Sequence, residues 1–348
     1  AGGSNTIINQ AELNGELSVA AGATGVNVTN ATIALAATFS GDDLVATGST
    51  YTGDLTIQVV DAENNITAVT DAKIQNNQIG GSLVIKNTNT SNIVDNISGN
   101  TITGTLTESG SDNNVNNNTS GTTDLNGTDV TTSGNTFNGV VTYGGSNSNE
   151  NENNIQNNDY NSNVIVSGAG HDFEGTENVV TGNVTIQAGG SNTTINQAEL
   201  NGNVSVEATG VSITNVSIAG TTELNGNQGS VTGSILNDSL SGSGDNLTVS
   251  TTTLNDNAND NATISISGND LTFSTNIANI EATFSGEDVS TSGNTFNENA
   301  TYSGTNTDDN NIQNNDFIKN VIVSGTGHDF EGTENVVTGN ITIQAGGS

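Results

Sequence analysis

One stretch of this chain is written twice. Residues 164–191 read VIVSGAGHDFEGTENVVTGNVTIQAGGS, and residues 321–348 repeat them with changes only at Ala169/Thr326 and Val184/Ile341. The words after the first copy, NTTINQAELNG (192–202), also open the chain as NTIINQAELNG (5–15). One long repeat therefore runs over 1–187 and a second over 188–344, while 345–348 re-enter the phase at which a further repeat begins. A chain built this way must fold into units that each accept a similar unit on either side. That points to a stacked, quasi-one-dimensional architecture.

A shorter motif recurs inside each long repeat: an apolar residue, three others, then apolar-x-apolar. Its instances include Leu13, Leu17, Val19; Ile33, Ala37, Phe39; Tyr51, Leu55, Ile57; Ile79, Leu83, Ile85; and Phe137, Val141, Tyr143. The second repeat carries Leu200, Val204, Val206; Ile218, Thr222, Leu224; Leu236, Leu240, Gly242; Ala258, Ala262, Ile264; Ala278, Ala282, Phe284; and Val337, Ile341, Ile343. Thr119, Thr123, Leu125 reads as a polar version, and Glu108 breaks the third position after Ile102 and Leu106. The long gap between Leu55 and Leu83 reads as a loop inserted around DAENN (61–65).

Apolar-x-apolar is period two, so those side chains share one face of a strand. A unit of about twenty residues, made of short alternating stretches punctuated by Gly and Asn, predicts one coil of a parallel β-solenoid. The expected fold is all-β: about 18 coils of roughly 18–22 residues, forming a rod on the order of 85 Å long at the spacing of stacked strands. Leu17, Val184, Val204 and Ile341 are expected to point inward in register. Asn at equivalent places in successive coils is expected to form hydrogen-bonded ladders. The outward residue of the best strand is often Ser or Thr, as at Ser18, Thr38, Thr56, Thr142, Thr185, Ser205, Thr263, Thr283, Thr301 and Thr342. Val84, Ile165, Ile322 and Glu223 interrupt that run.

Composition alone would leave disorder open. Hydrophobic residues are 31% of the chain and the net charge is -34, both of which favour an unfolded chain, so the case for folding rests on pattern. A solenoid interior needs only a minority of each coil to be apolar. Cys is absent, which excludes a disulfide framework and thiol chemistry. The only basic residues are Lys73, Lys86 and Lys319. Such a surface repels nucleic acid and anionic membranes and attracts cations. No apolar run is long enough to cross a membrane, so no membrane insertion is expected.

The duplicated GAGHDFEG (168–175) and GTGHDFEG (325–332) contain Gly-x-Gly-x-Asp, and GSGDNLTV (242–249) and SGNDLTFS (267–274) look alike. These resemble the calcium-binding nonapeptide of the repeats-in-toxin family, although here the motifs are isolated, and Gly and Asp also make tight turns. On that resemblance, calcium is the one cofactor in view, and none is required. Its candidate ligands are Asp172, Glu174, Asp270, Asp329 and Glu331, joined by the acidic pairs Asp42–Asp43 and Glu287–Asp288 in matching turns. His171 and His328, the only two histidines, have no Cys, second His or nucleophile beside them and read as turn residues. Acids are scattered over the turns with no pair that stands out for glycoside cleavage, and Arg and Trp are absent, so no enzyme is expected.

Taken whole, the coil length and composition resemble the repetitive β-solenoid shafts of large bacterial surface proteins, the adhesins and filamentous-haemagglutinin-like exoproteins. The resemblance implies an extracellular or cell-surface structural role as fibre, stalk or biofilm-matrix element. The implied partners are further copies of the chain, stacked head to tail and side by side, together with cations. The competing expectation is a binding module, either an ice-binding solenoid or a calcium-loaded adhesive surface.

Overall fold

The computed structural model describes residues 3–60, 66–67, 72–86, 96–148, 154–174, 178–257, 261–307, 311–330 and 334–347. The chain divides into two compact units, Ala1–Val179 and Val180–Ser348. Each is a parallel β-solenoid with three sheets, and no described residue is helical. The turns number about 15, slightly fewer than the 18 expected.

One coil of the second unit shows how the sequence makes the fold. Ser212–Thr214 lies in the first sheet, Ser217–Ile218 in the second and Thr222–Leu224 in the third. The next coil repeats them in register, with Ile213 over Val231, Ile218 over Leu236 and Leu224 over Gly242. Alternation along each strand turns Ile213, Val216, Ile218, Thr222 and Leu224 inward, all buried, and leaves Ser212, Thr214 and Ser217 outside. A coil therefore needs only about five inward side chains, which is how a chain so poor in apolar residues closes a core.

Two corners of each coil use left-handed backbone. Asn30, Asn76, Asn117 and Asn157 occupy one of them in the first unit, with φ between 50° and 56°. Asn tolerates this conformation better than most residues with a Cβ, and Gly48, Gly99 and Gly134 take the same corner at φ 62–66°. The other of these corners, between the third sheet and the first of the next coil, also depends on close stacking. Gly226, Gly244, Gly268, Gly286 and Gly304 lie one above another, and a Cβ on any of them would collide with the carbonyl oxygen of the coil before.

The inward residue just after the Asn corner carries the polar core. In the first unit it is Asn77, Asn100, Asn118, Asn135, Asn158 and Asn178 in succession, each at most 1% exposed. Asn118 Oδ1 accepts hydrogen bonds from the backbone N–H (2.9 Å) and the side-chain Nδ2 (3.0 Å) of Asn100. Asn118 Nδ2 donates to Ile97 O (2.8 Å) and to Asn135 Oδ1 (3.1 Å). Both donors and both lone pairs of the amide are used. The second unit builds the same ladder from Asn276, Asn294, Asn315 and Asn335. Both ladders are entered from a hydroxyl residue, with Ser49 N–H donating to Asn77 Oδ1 and Thr252 N–H to Asn276 Oδ1.

Several expectations need correction. The second-sheet residue between Ile102 and Phe137 is Ser120, not Thr119, because the coil at Asn114 is one residue short and reaches its partner after 17 residues. In the coil at Thr248 the inward residues are Leu254, Ile264 and Ile266, because an insertion lengthens it to 24 residues and displaces the motif. Ala258 lies outside the described residues, and Ala262 is buried just ahead of that strand. Glu108 does not break the pattern. It points inward in register with Ile85 and Leu125 and accepts hydrogen bonds from Gly110 N–H and Asn113 Nδ2. The loop expected at 61–65 lies outside the described residues, and the strands flanking it, Leu55–Val60 and Ile66–Thr67, pair antiparallel.

Of the four residues expected inward, Val184 and Val204 are buried, Leu17 is half-buried and Ile341 is 54% exposed. Ile341 is in register with Val321 on one side and has no described strand on the other.

Replacing Asn118 by Leu removes the side-chain acceptor of the Asn100 N–H and Nδ2 and the amide donor to the Ile97 carbonyl, and leaves Asn135 Oδ1 with the backbone N–H of residue 118 alone. At about 1–3 kcal/mol for each buried polar group left unsatisfied, it should destabilise the fold by at least ~2 kcal/mol. Asn201, which is exposed, should tolerate Ala with little effect. Denaturant melts of the two variants check this.

Candidate functional site

Several of the acidic residues singled out above sit at corners, whereas Asp172 lies in the first-sheet strand Asp172–Phe173. Asp43, Asp270 and Asp288 have φ of 53°, 55° and 53°, the left-handed turn position where Asp is tolerated. Asp288 Oδ1 accepts hydrogen bonds from the N–H and Oγ1 of Thr307, both at 2.8 Å. Those two bonds hold its carboxyl below the usual carboxylate range. Asp129 does the same for Ser148 in the first unit. Asp288 and Asp129 thus each cap a loop of the following coil.

The Gly-x-Gly-x-Asp motifs belong to the same corner. Asp245 N–H donates to Asn227 Oδ1, Asn269 N–H to Asp245 Oδ1 and Glu287 N–H to Asn269 Oδ1, at 2.9–3.0 Å. This is a second ladder of short polar side chains, on the outside of the coil. Asp42 is half-buried, with Oδ1 turned inward. Asp172 is buried and Asp329 half-buried, and their backbone N–H groups donate to Asn154 Oδ1 (2.8 Å) and Asn311 Oδ1 (2.7 Å). Glu174 is half-buried, and Glu331 lies outside the described residues.

Calcium takes six to eight oxygen ligands. Among the described residues no three Asp, Glu, His or Cys side chains group so as to hold a metal ion. Asp129, Asp245 and Asp288 each accept a backbone N–H of the following coil. A cleft of about 390 Å³ is lined by Asp256, Asn261, Thr263, Asn279, Glu281 and Glu298.

His171 is an interior residue and His328 a half-buried one, which the sequence reading missed. His171 is 3% exposed. Its Nε2–H donates to Gly145 O (2.8 Å) and its Nδ1 accepts from Asn154 Nδ2 (3.1 Å). His328 repeats this with Gly304 O (3.1 Å) and Asn311 Nδ2 (3.3 Å) in the second unit. Each ring lies against a buried tyrosine, Tyr143 at 5.4 Å and Tyr302 at 5.6 Å. The tyrosine hydroxyls are held by Thr132 and Thr291, and burial pushes the phenols far up. With both ring nitrogens engaged and no nucleophile in either cluster, the arrangement packs a core. The available signal was the pairing of each HDF with a tyrosine one coil earlier.

Two outward faces differ. In the third sheet of the first unit, the rank Ser18, Thr38, Thr56, Val84, Thr107, Asp124, Thr142, Ile165 is broken by apolar and acidic residues. In the second unit Ser265, not Thr263, holds the position in register with Thr283. The first sheet of the second unit is more regular. Ser212, Ser230, Thr248, Thr272 and Ser290 form one hydroxyl rank, and Thr214, Thr232, Ser250, Ser274 and Ser292 form a second beside it.

The sheets and corners define the class of the protein: a parallel β-solenoid with polar ladders at its corners. No family model matches the chain, and no curated protein or solved structure matches it. No described helix is long and apolar enough to cross a membrane.

The pH response follows from the histidines. Burial lowers the pKa of both below the ordinary 6.5, against the opposing pull of the Gly145 and Gly304 carbonyls. The unfolded chain then binds more protons than the native one as pH falls below 6.5, so the stability from neutral His is complete above 6.5 and is lost beneath it. Tm should fall as the pH is taken from about 7 to about 5, the range where His titrates. The double variant His171→Gln/His328→Gln should show a flatter profile in that window, read by thermal melts at stepped pH.

Proposed function

We propose that the protein is a structural element of an extracellular fibre, stalk or matrix filament. The observation that carries this is what its polar interior does. The Asn ladders, the glycine corner and the outer cap ladder all join one coil to the next, in both units. Chemistry placed this way strengthens a stack along its axis and builds no single site. The near-identical long repeats support the same reading, since a shaft needs many equal coils. The acidic surface, with 37 Asp and Glu against three Lys, keeps neighbouring stacks apart unless cations screen it. Immunogold electron microscopy of the source cells should place label along surface fibres or in the surrounding matrix. Label confined to the cytoplasm would contradict the role.

One observation favours a second reading. The paired hydroxyl ranks on the first sheet of the second unit repeat about every 4.8 Å across strands and about 6.8 Å along them, a regular array suited to ordering water. All four tyrosines are buried and Trp is absent, so this face lacks the aromatic platforms that bind polysaccharide. An ice-binding face would arrest the growth of seeded ice crystals at micromolar protein, and a plain shaft would not.

A further inference from the structure

The second unit carries its polar ladder along only part of its length. The inward residue after the left-handed corner runs Ala198, Val216, Ser234, Thr252, Asn276, Asn294 and Asn315 through successive coils. At the Asn end the coils are tied several times over. Asn276 N–H donates to Asn294 Oδ1 (2.8 Å), and Asn294 N–H and Nδ2 both donate to Asn315 Oδ1 (3.0 and 2.8 Å). The Nδ2 groups of Asn276 and Asn294 also hold the carbonyls of Val249 and Phe273 in the coil before (2.9 and 2.8 Å). Ser234 does less: its Oγ accepts the Val216 N–H at 3.2 Å and donates to Thr232 O within its own coil at 3.0 Å. The side chains of Val216 and Ala198 carry no donor or acceptor, so neither offers a bond to the coil before.

A backbone bond is long at the same place. The residue after the ladder position donates its N–H to the carbonyl of the ladder residue one coil earlier. From Ile235 to Val216, Thr253 to Ser234, Ile277 to Thr252 and Thr295 to Asn276 this bond measures 2.9–3.0 Å, whereas from Ser217 to Ala198 it measures 3.4 Å. The first unit has Ala11 and Ala31 at the ladder position and keeps the corresponding bonds from Thr32 and Thr50 at 2.8 Å, so the long bond is specific to the pair Ala198 and Val216.

Aromatic packing divides the second unit in the same way. From Val180 to Thr272 it has no aromatic side chain. From there on, Phe273, Phe284, Phe296, Tyr302 and Phe317 pack from coil to coil with ring centroids 5.1–6.1 Å apart. The coils at 194–206 and 212–224 are held by strand hydrogen bonds and by aliphatic side chains such as Ile195, Leu200, Ile213 and Ile218, all buried. Two independent locks, the amide ladder and the ring stack, thus begin together at 273–276, and both miss Ala198 and Val216.

We propose that the coils at 194–206 and 212–224 are a soft joint, a segment that opens as one while the coils from Thr272 to Val323 stay closed. Cooperative segments of a protein open with free energies set by the contacts each one makes. In a stack whose coils touch only their neighbours, the segment with the fewest bonds between coils opens first. Residues 192–227 would span about 120–130 Å if fully extended, against about 10 Å for two stacked strand spacings. Opening there lengthens or bends the stack locally and leaves the laddered coils intact. The joint is a property of the fold and holds whether or not the protein serves as a fibre.

Native-state hydrogen exchange tests the joint with two matched reporters. Ser212 and Ser290 occupy one column of the first sheet, and their N–H groups donate to Thr193 O (2.9 Å) and Leu271 O (2.8 Å). After correction for intrinsic rates, Ser290 should be protected roughly tenfold or more above Ser212, the difference that one or two further hydrogen bonds between coils make. Val216→Asn extends the ladder by one coil, giving the Ala198 N–H an acceptor and the Ile195 carbonyl a donor. It should slow exchange at Ser212 by a similar factor and leave Ser290 unchanged. Asn294→Val, the converse change, should speed exchange at Ser290. Circular dichroism confirms that both variants remain folded. Equal protection of Ser212 and Ser290 in the unaltered protein would overturn the joint without reference to any variant. So would a folded Val216→Asn chain in which Ser212 exchanges no more slowly than before. The shaft reading is decided separately, by where the protein is found on the cell.

Discussion

The structure depends on a backbone N–H that a β-solenoid cannot easily satisfy. Where each coil turns from its first sheet to its second, the chain leaves the ladder of strand hydrogen bonds, and the N–H after the left-handed residue points into the core. Burying such a group without a partner costs a few kcal/mol. The Asn side chain of the next coil accepts it, as Asn118 does for Asn100. Because the same side chain also donates to a strand carbonyl, one residue type closes the whole corner. Where the ladder gives way to Ser or Thr, the hydroxyl takes the accepting role, as Ser234 does for Val216. Stacking, burial and polar satisfaction are thus one requirement at this position.

The other corners place matching demands on the sequence. Coils can approach this closely only where Gly lines the inner turn, which is why Gly226, Gly244 and Gly268 fall in one column. On the outside of the same turn, Asn and Asp cap the N–H groups of the following coil. A chain meeting these demands is rich in Asn, Gly and small polar residues and poor in apolar ones. The composition that resembles disorder is the composition this fold requires. Acids accumulate where Asn would also serve, and the net charge follows.

Much of this was legible from residues alone. Period-two triplets such as Phe137, Val141, Tyr143 named the inward strand positions, and their spacing gave the coil. The reading failed where coil length changed. A single deletion moved the inward residue from Thr119 to Ser120, and the insertion near 258–260 moved the motif to Leu254, Ile264 and Ile266. It also failed where chemistry was judged by residue type. Glu108 reads as a break in the apolar pattern, yet Gly110 and Asn113 supply its donors from the turn that follows. His171 reads locally as a turn residue, and its partners, Gly145 and Asn154, come from the preceding coil, beyond the reach of a local reading. In the stretch at 242–249, Asp245 Oδ1 accepts the Asn269 N–H of the next coil, a bond between coils that no local motif displays.

The central claim is that the buried Asn ladder locks successive coils together. Amide hydrogen exchange at the ladder positions tests it most directly, because the N–H groups of Asn100, Asn118 and Asn135 lie at turns yet are hydrogen-bonded to side chains in the core. The account predicts that these three amides exchange as slowly as strand-centre amides such as that of Val115, through opening of the whole stack. Exchange at rates typical of exposed turns would contradict it.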